Sequence, residues 1–399
     1  MIVPNAILAD GSAVTYSSRN GYSAVYKLDL ATMKVGEKLF DGGAYDLSGI
    51  YLDSDRSKIT GYSFTDTRRR TVWIDDARKK LRAQLEANFP NKQVRILGSD
   101  RDEKVFLFKA ESASAPGAYY VYEAGQPLTR LALENPAFGT RALAPVKTIT
   151  YKARDGLSMT AVLTLPAAGE AKNLPVIVLP HGGPAARDDE SWDWWTQFLA
   201  DRGYAVIQPN FRGSTGFGEA FSDAGAGEWG HKMQDDVNDA LAWLGQQGIG
   251  DVKRACVVGG SYGGYVAMRA AERNPELYRC AVSFAGVADL SEMIKFDRNF
   301  IGGLGSTEYW RERAEDVNDV SPINHAARTA IPILVIHGKK DRRVPFAQSK
   351  TYVDKLKKAG KQVEFFIQPE GDHHFSREED RLTFLTQMEA FLDKHNPAN

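Results

Sequence analysis

The sequence predicts two regions of different fold class, an all-β region over residues 1–144 and an α/β domain over residues 145–399. After Pro145, short apolar segments alternate with helix-forming segments, which is typical of a mostly parallel sheet with helices on both faces. Before Pro145, β-rich runs recur at a nearly constant interval. A chain of 399 residues is long enough for two domains of ordinary size.

Composition and charge are those of an ordinary globular protein. Apolar residues make up 43% of the chain, charged residues make up 25%, and the formal net charge is −1. Neither region has the basic excess typical of proteins that bind nucleic acid or an anionic membrane. The sequence has no apolar run long enough to span a membrane. The first residues lack the charged and apolar regions of a signal peptide, so we expect none in this sequence. We therefore expect no nucleic-acid partner and no membrane partner. The compartment stays open between the cytoplasm and, for a longer parent chain, the periplasm.

The two cysteines, Cys256 and Cys280, lie in apolar runs that resemble buried strands. Free cysteine behaves as a small apolar residue in such a setting. The sequence therefore predicts two separate core thiols rather than a disulfide or a metal site. His231, His325 and His337 show no metal-ligand spacing, and we expect neither a metal nor a cofactor.

The first region contains a repeat. Strand-like runs begin at Val14, Ile59 and Val105, which are 45 and then 46 residues apart, and each is followed by a second β-rich run. This period is typical of β-propeller blades, and an irregular antiparallel sheet is the alternative. Roughly three blades are too few to close a ring, which takes at least about four. We therefore expect one of two arrangements. Either Met1 lies inside a longer propeller, or the chain forms a homo-oligomer in which the incomplete propeller or a sheet edge pairs with another copy.

One segment of this region breaks the β pattern. Residues 75–89 are rich in helix-forming residues and place Leu81, Leu85 and Phe89 at intervals of four. The pattern predicts a helix inserted between two blades.

A candidate nucleophile follows an apolar strand in the second region. Residues 255–258 lead directly into Gly259-Gly260-Ser261-Tyr262-Gly263, and a helix-like segment comes next. Glycines two places before and after Ser261 leave room for the sharp strand-to-helix turn called a nucleophile elbow. The context predicts an α/β-hydrolase fold with Ser261 as the nucleophile. A glycine-rich loop with an inactive serine is the alternative.

A serine nucleophile needs a histidine base and a carboxylate that orients it. In α/β-hydrolases the chain order is serine, acid and histidine, with the last two in loops after later strands. The loop after residues 333–336 offers Asp341, and the loop after residues 363–367 offers His373. The order and the spacing therefore predict a triad of Ser261, Asp341 and His373.

For both the histidine and the acid of the predicted triad, the sequence offers a second candidate of the same residue type. His373 is preferred over His374 because it directly follows a Glu-Gly-Asp turn and precedes the apolar Phe375. Asp341 is preferred over Asp372 because a carboxylate adjacent in sequence to a histidine seldom reaches its ring.

Acyl transfer also needs donors for the oxyanion of its tetrahedral intermediate. The elbow supplies the N–H of Tyr262, and the loop after an earlier strand supplies a second donor in this fold. That loop is His181-Gly182-Gly183-Pro184, and we predict the N–H of Gly183 as the second donor. His181 precedes the serine in the chain and is expected to be structural, and His337 is expected to be structural or to lie at the surface.

Six motifs together resemble the prolyl oligopeptidase family of serine peptidases, and most closely its acylaminoacyl-peptidase branch. In chain order they are HGGP, NFRGSTGFG, GGSYGGY, SPIN, HGKKDRRVP and EGDHHF, and they cover about residues 145–396. The resemblance implies the same triad and oxyanion donors, and a seven-bladed propeller that admits only short peptides. Prolyl oligopeptidase itself has a tyrosine where this chain has His181, so no tyrosine hydroxyl is expected as an oxyanion donor.

The resemblance also implies a function. We expect a serine hydrolase that cleaves short peptides with aminoacyl or acylaminoacyl groups, without a cofactor. The acyl-side pocket is expected after the strand at residues 280–284, with Val287 and Phe296 as candidates. With about three blades instead of seven, the propeller is expected to exclude long peptides only incompletely.

Three other functions remain open at this point. The same triad could serve an esterase of small acyl esters or a specialised isopeptidase, and a propeller could serve a binding module without enzymatic activity. Dipeptidyl peptidases of this family hold a free amino terminus with paired glutamates in the propeller, and no such pair precedes residue 145. The Glu378-Glu379 pair is expected in the first turn of the last helix.

Overall fold

The structure is a computed structural model that describes residues 3–139, 143–299 and 312–398. The chain forms two compact units. The N-terminal unit comprises Met1–Val146, Asp189–Trp194 and Thr215–Phe221, and the hydrolase unit comprises Lys147–Asp188, Trp195–Ser214 and Ser222–Asn399. Within the described ranges, no helix is both long enough and apolar enough to cross a membrane.

The N-terminal unit contains three antiparallel sheets of three or four strands, as expected for propeller blades. The first sheet consists of β1 (Ala6–Ile7), β2 (Ala13–Ser17), β3 (Ala24–Asp29) and β4 (Lys34–Phe40). The second consists of β5 (Leu47–Leu52), β6 (Ile59–Thr65) and β7 (Arg69–Trp73). The third consists of β8 (Gln93–Ser99), β9 (Val105–Ser112), β10 (Ala115–Glu123) and β11 (Thr129–Leu133).

The repeat seen in the sequence corresponds to one position in each sheet. Val14, Ile59 and Val105 lie at or near the starts of β2, β6 and β9, which are the second strands of their sheets. The second β-rich run of each repeat forms the third strand. The interval of about 45 residues therefore reflects successive sheets of the same design.

The predicted inserted helix is present as α1 (Asp76–Ala87). Asp75 caps its N-terminus by accepting a hydrogen bond from the backbone N–H of Arg78. Leu81 and Leu85 are buried in the apolar cluster formed with the second and third sheets. The four-residue spacing therefore marks the face of α1 that packs on the sheets.

The hydrolase unit contains one sheet of eight strands in the order β12-β13-β15-β14-β16-β17-β18-β19. Strand β13 pairs antiparallel with β15, and all pairs from β15 to β19 are parallel. The strands are β12 (Val146–Lys152), β13 (Ser158–Thr164), β14 (Leu174–Val178), β15 (Ala205–Asn210), β16 (Gly250–Gly260), β17 (Cys280–Phe284), β18 (Ile333–Gly338) and β19 (Val363–Gln368).

Helices connect the parallel strands, follow the last of them and bury most of the sheet. In the described ranges they are α2 (Trp194–Asp201), α3 (Glu219–Asp223), α4 (Lys232–Gln246), α5 (Tyr262–Arg273), α6 (Leu290–Asp297), α7 (Ala347–Lys358) and α8 (Glu378–His395). Two short 3₁₀ helices cover Pro322–Asn324 and Ala326–Arg328. Every residue of β15, β17 and β18 is buried, because helices pack on both faces of the sheet. Glu378 and Glu379 lie in the first turn of α8, as expected.

The prediction of two separate thiols is wrong, because Cys256 and Cys280 form a disulfide. Both residues are fully buried, as their apolar surroundings indicated. They are directly paired on the adjacent strands β16 and β17, with their Cα atoms 4.8 Å apart. This distance lies within the range that a disulfide can bridge.

Candidate active site

Four loops of the hydrolase unit follow the carboxyl ends of parallel strands. The HGGP loop follows β14, Ser261 follows β16, Asp341 follows β18 and His373 follows β19. The carboxyl ends of parallel strands lie at the same edge of a sheet, where α/β proteins bind their ligands. The candidate residues therefore share one edge of the sheet.

Ser261 has the strained backbone of a nucleophile elbow. Its φ angle is +57°, a backbone conformation that residues other than glycine rarely adopt. Its N–H donates to the carbonyl of Phe284 over 2.9 Å, which ties the turn to the neighbouring strand β17. A Cβ atom on Gly259 would overlap the backbone of Gly263, and one on Gly263 would overlap the carbonyl of Pro180. The two glycines are therefore required by the close packing of the turn.

Both oxygens of the Asp341 carboxylate have hydrogen-bond partners within the protein. Its Oδ1 accepts from the backbone N–H groups of Arg343 and Val344, each over 2.8 Å. Its Oδ2 lies 2.7 Å from Nδ1 of His373 and 3.2 Å from Nε2 of His337. The side chain of Asp341 is fully buried, so these four contacts fix its orientation.

The same contacts keep the carboxylate ionised. Burial alone would raise the pKa of Asp341, but the hydrogen bonds from His337, His373 and the N–H of Val344 more than offset burial. They hold the pKa of Asp341 well below its usual range. Asp341 is thus ionised at neutral pH, and it lies beside the Nδ1 atom of His373.

The two loops that carry Asp341 and His373 are joined through their backbones. The N–H of Lys340 donates to the carbonyl of Gly371 over 2.9 Å. The ring of Phe375 is buried and stacks on Phe284 with a centroid separation of 4.0 Å. The apolar anchor expected after the histidines is therefore present, and it holds this turn on the sheet.

Asp372 has a different role from Asp341. Its Oδ1 accepts from the backbone N–H groups of His374 and Ser376, over 3.0 and 3.2 Å. It thus caps its own turn, while Asp341 contacts the ring of His373. His374 is exposed to solvent, with its ring centroid 5.3 Å from that of His373.

The HGGP loop lies against the elbow. A Cβ atom on Gly182 would lie 3.3 Å from the carbonyl oxygen of Gly260 and 3.4 Å from Cβ of Ser261. Tyr262, the residue after the serine, is the first residue of α5 and is buried. The N–H groups of a first helical turn point away from the helix along its axis. The loop thus approaches Gly260 and Ser261 in space, and the start of α5 follows the serine directly in the chain.

The serine and the histidine are not hydrogen-bonded to each other. Within the described ranges, no hydrogen bond joins Oγ of Ser261 to the ring of His373. Contacts of this kind are often long before substrate binds. Of the predicted triad, the structure joins Asp341 to His373 and places Ser261 at the same sheet edge.

Residues 190–397 match the model of the prolyl oligopeptidase family, which covers more than half of the chain. The chain belongs to the prolyl oligopeptidase family. The match includes all three residues predicted for the triad.

Two curated members of the family illustrate its range. The chain is 30% identical to dipeptidyl aminopeptidase BIII of Pseudoxanthomonas mexicana over 98% of its own length and 59% of that enzyme. It is 27% identical to the acylamino-acid-releasing enzyme of Sus scrofa over 88% of its length and 50% of that enzyme. The chain therefore spans between about half and three fifths of the length of these relatives.

Solved structures of family members share the fold of the chain. The puromycin-hydrolyzing peptidase of Mycobacterium tuberculosis superposes with a TM-score of 0.81 at 20% identity, over 97% of this chain and 60% of that one. The acylaminoacyl peptidase of Pyrococcus horikoshii superposes with a TM-score of 0.76 at 20% identity, over 100% and 64% of the two chains. The predicted fold class, an α/β-hydrolase domain preceded by a partial propeller, is confirmed.

The candidate pocket residues of this prolyl oligopeptidase family member lie beyond β17. Val287 is buried and Phe296 is half-buried on α6. Their contact with a substrate stays a prediction, as do the oxyanion roles of Gly183 and Tyr262.

The contact of His337 with the candidate acid was not predicted from the sequence. Its side chain is fully buried, and Nε2 lies within hydrogen-bond distance of Asp341 and of the carbonyl of Val344. On the other side of the ring, Nδ1 lies 2.7 Å from Oγ of Ser349. Because His337 is the next-to-last residue of the buried strand β18, four residues before the candidate acid, its position in the chain could have signalled this contact.

Proposed function

We propose that this chain is a serine peptidase that cleaves short peptides through an acyl-enzyme on Ser261. The observation that carries the proposal is the 2.7 Å contact between Asp341 and His373 at the sheet edge that also holds the elbow. A serine hydroxyl attacks carbonyl groups only when a base removes its proton. The pair supplies a base in a fixed orientation.

Acylation begins with the attack of Ser261 Oγ on the substrate carbonyl carbon. The proton of Oγ passes to Nε2 of His373, and the carbonyl oxygen becomes an oxyanion. Because the carboxylate of Asp341 only accepts, Nδ1 of His373 carries hydrogen and Nε2 is free to take the proton. The anion of Asp341 then stabilises the imidazolium.

The oxyanion is stabilised by the N–H groups of Gly183 and Tyr262. His373 gives its proton to the leaving amine, so the C–N bond breaks and the acyl group stays on Ser261. Water then attacks the acyl-enzyme while the same histidine takes its proton, and collapse of the second intermediate releases the acid and restores the serine. Every proton is returned, so the cycle needs no cofactor.

The substrate class follows from the family. Relatives are described as a dipeptidyl aminopeptidase, acylamino-acid-releasing enzymes and a puromycin-hydrolyzing peptidase. These names describe peptidases that release dipeptides, release acylamino acids or hydrolyse puromycin. We propose short peptides with an aminoacyl or acylaminoacyl group as substrates of this chain.

A substrate panel with matched leaving groups tests the proposal. It contains p-nitroanilides of alanine, N-acetylalanine and a dipeptide, together with p-nitrophenyl esters of the same acyl groups. We expect turnover of at least one anilide, and Ser261→Ala should lower kcat/KM about 10⁴-fold or more. Ser158→Ala, at an exposed serine on β13, is the matched control and should keep the wild-type rate.

Two results would contradict the proposal. Hydrolysis of esters without any anilide would indicate an esterase. Equal rates for wild type and Ser261→Ala would show that the elbow serine is not the nucleophile.

A further inference from the structure

A cavity of about 530 Å³ lies in the N-terminal unit between the second sheet, the third sheet and α1. Sites for small molecules usually have volumes of roughly 300–1,000 Å³. All wall residues of the cavity belong to the N-terminal unit, whereas the candidate triad belongs to the hydrolase unit. The apolar and aromatic part of the wall consists of Tyr51, Leu52, Trp73, Ile96 and Leu97. The cavity therefore has the size of a binding site and is distinct from the triad.

Both sheets are irregular where they border the cavity. In the second sheet the pairing of β5 with β6 shifts between Tyr51 and Leu52, and in the third sheet the pairing of β8 with β9 shifts between Ile96 and Gly98. Successive side chains of a regular strand point to opposite faces of the sheet. Here two successive apolar residues of each strand line the same cavity. Irregularities that redirect side chains in this way are frequent next to functional sites.

A buried guanidinium group also lines the cavity. Arg78 is only 7% exposed, and its Cζ atom lies 5.4 Å from the ring centroid of Trp73 and 5.1 Å from that of Phe106. Its terminal nitrogen Nη2 donates to Oε1 of Glu103 over 2.6 Å. In the part of the chain that the structure describes, the buried Nε has no acceptor. Because arginine carries five N–H donors, Arg78 keeps donors for a ligand.

The position of Arg78 is unfavourable for the fold alone. Arg78 lies in the first turn of α1, where the partial positive charge of the helix N-terminus disfavours a cation. A buried donor without an acceptor also destabilises a folded protein, and native structures contain few of them. The ion pair with Glu103 occupies a single nitrogen of the guanidinium. A bound ligand that accepts from the remaining donors accounts for this arrangement.

The charges at the cavity wall favour an anionic ligand. Arg101 lines the cavity, is exposed, and forms no ion pair with any residue in the described ranges. Among the wall residues of the described chain only Asp100 is acidic, and its Oδ1 accepts from the backbone N–H groups of Lys104 and Val105. Arginine forms strong, charge-assisted hydrogen bonds with carboxylates. The apolar wall suits an aromatic or branched aliphatic group attached to such a carboxylate.

We propose that this cavity binds a small organic acid, with the carboxylate at Arg78 and an aromatic or branched aliphatic group against Trp73 and Ile96. A free acid and the C-terminus of a short peptide both present this carboxylate, so the recognised chemistry is the same for the two. The proposal is independent of the serine peptidase function, because no residue of the candidate triad lines the cavity.

A pair of probe ligands and three variants test the site by isothermal titration calorimetry at pH 7. 3-Phenylpropionate carries the carboxylate and an aromatic group, and 3-phenylpropanamide has the same shape without the charge. Arg78→Lys keeps a cation beside Glu103 but has no Nε donor and no planar guanidinium. Gly98→Leu places a side chain at the cavity wall, where an added Cβ meets no atom within 4 Å. Arg82→Lys, on the same helix but away from the cavity wall, is the matched control.

We expect 3-phenylpropionate to bind the wild type with a Kd of about 1 mM or lower. The amide should bind at least about tenfold more weakly, and Arg78→Lys should weaken binding of the acid at least about tenfold. Gly98→Leu should abolish binding because its side chain fills the cavity. Arg82→Lys should stay within about twofold of wild type, since substitutions away from a site have small effects. Thermal unfolding is measured in parallel, and if Arg78→Lys does not fold, Gly98→Leu and the amide decide.

The peptide Gly-Gly-Phe, titrated into Ser261→Ala protein to prevent its hydrolysis, distinguishes the two sources of the carboxylate. Affinity similar to that of 3-phenylpropionate would assign peptide C-termini as ligands, and binding of 3-phenylpropionate alone would assign a free acid. Equal affinities for the acid and the amide would overturn the proposal. So would unchanged affinity in both Arg78→Lys and Gly98→Leu, or no binding of the acid to the wild type at concentrations up to about 10 mM.

Discussion

Nδ1 of His373 lies 2.7 Å from Oδ2 of Asp341. The two residues come from loops after adjacent parallel strands, and the carboxylate is fully buried. The ring is therefore held in one orientation, with Nε2 directed away from the acid.

Asp341→Asn should lower kcat by about 10³- to 10⁴-fold with little change in KM. An asparagine can present its N–H₂ to the histidine, which stabilises the wrong tautomer and cannot balance the imidazolium charge. Steady-state kinetics on the best substrate of the panel measures the effect. Asp372→Asn is the matched control, because Asp372 caps its own turn at His374 and Ser376, and it should stay within about tenfold of wild type. A larger loss of kcat in Asp372→Asn than in Asp341→Asn would assign the acid role to Asp372.

His337→Leu should lower kcat about tenfold and lower the free energy of unfolding by about 1–3 kcal/mol. The Nε2 atom of His337 faces two acceptors, Asp341 and the carbonyl of Val344, so it carries hydrogen and orients the acid. His337→Gln can place an N–H near the same point and should recover most of kcat. Kinetics and urea denaturation of both variants test this, and equal kcat in leucine and glutamine variants would show that only packing matters.

The contrast between His337 and Ser261 shows what a sequence can reveal. The elbow around Ser261 is local, since strand, glycines and helix follow each other within a few residues. The function of His337 depends on which group lies beside its buried ring, and that is decided by the fold of the β18 loop. The acid and the histidine could be predicted because α/β-hydrolases place them in a fixed chain order.

The disulfide also could not be predicted from local sequence. The apolar runs around Cys256 and Cys280 correctly indicated burial, but pairing depends on the register of β16 against β17. A shift by one residue would send the two side chains to opposite faces of the sheet. Nothing in the sequence of either strand fixes that register.

Reduction of the Cys256–Cys280 disulfide should lower the free energy of unfolding by about 3 kcal/mol. The bond closes a loop between residues 24 apart, and its loss frees that loop in the unfolded chain. Urea denaturation with and without reductant measures the difference, and the Cys256→Ala, Cys280→Ala double variant should not respond to reductant. Alkylation of both cysteines in denatured, unreduced protein would contradict the bond.

Acid should destabilise the wild type more than His181→Asn. The ring of His181 takes up a proton near pH 6.5 in the unfolded chain but only near pH 4 in the fold. Between these values the unfolded state binds the extra proton, so the free energy of unfolding falls as pH falls, by up to about 3 kcal/mol. Denaturation of both proteins at pH 7, 5.5 and 4 measures the difference, because other groups titrate alike in both. Parallel curves would contradict burial of a neutral ring.

The most direct measurement is mass-spectrometric mapping of a fluorophosphonate adduct in wild type, His373→Ala and His374→Ala. We predict one phosphonylated residue, Ser261, in the wild type and in His374→Ala, and a labelling rate lower by at least about 10³-fold in His373→Ala. An adduct on another residue, or a normal rate in His373→Ala, would contradict the account.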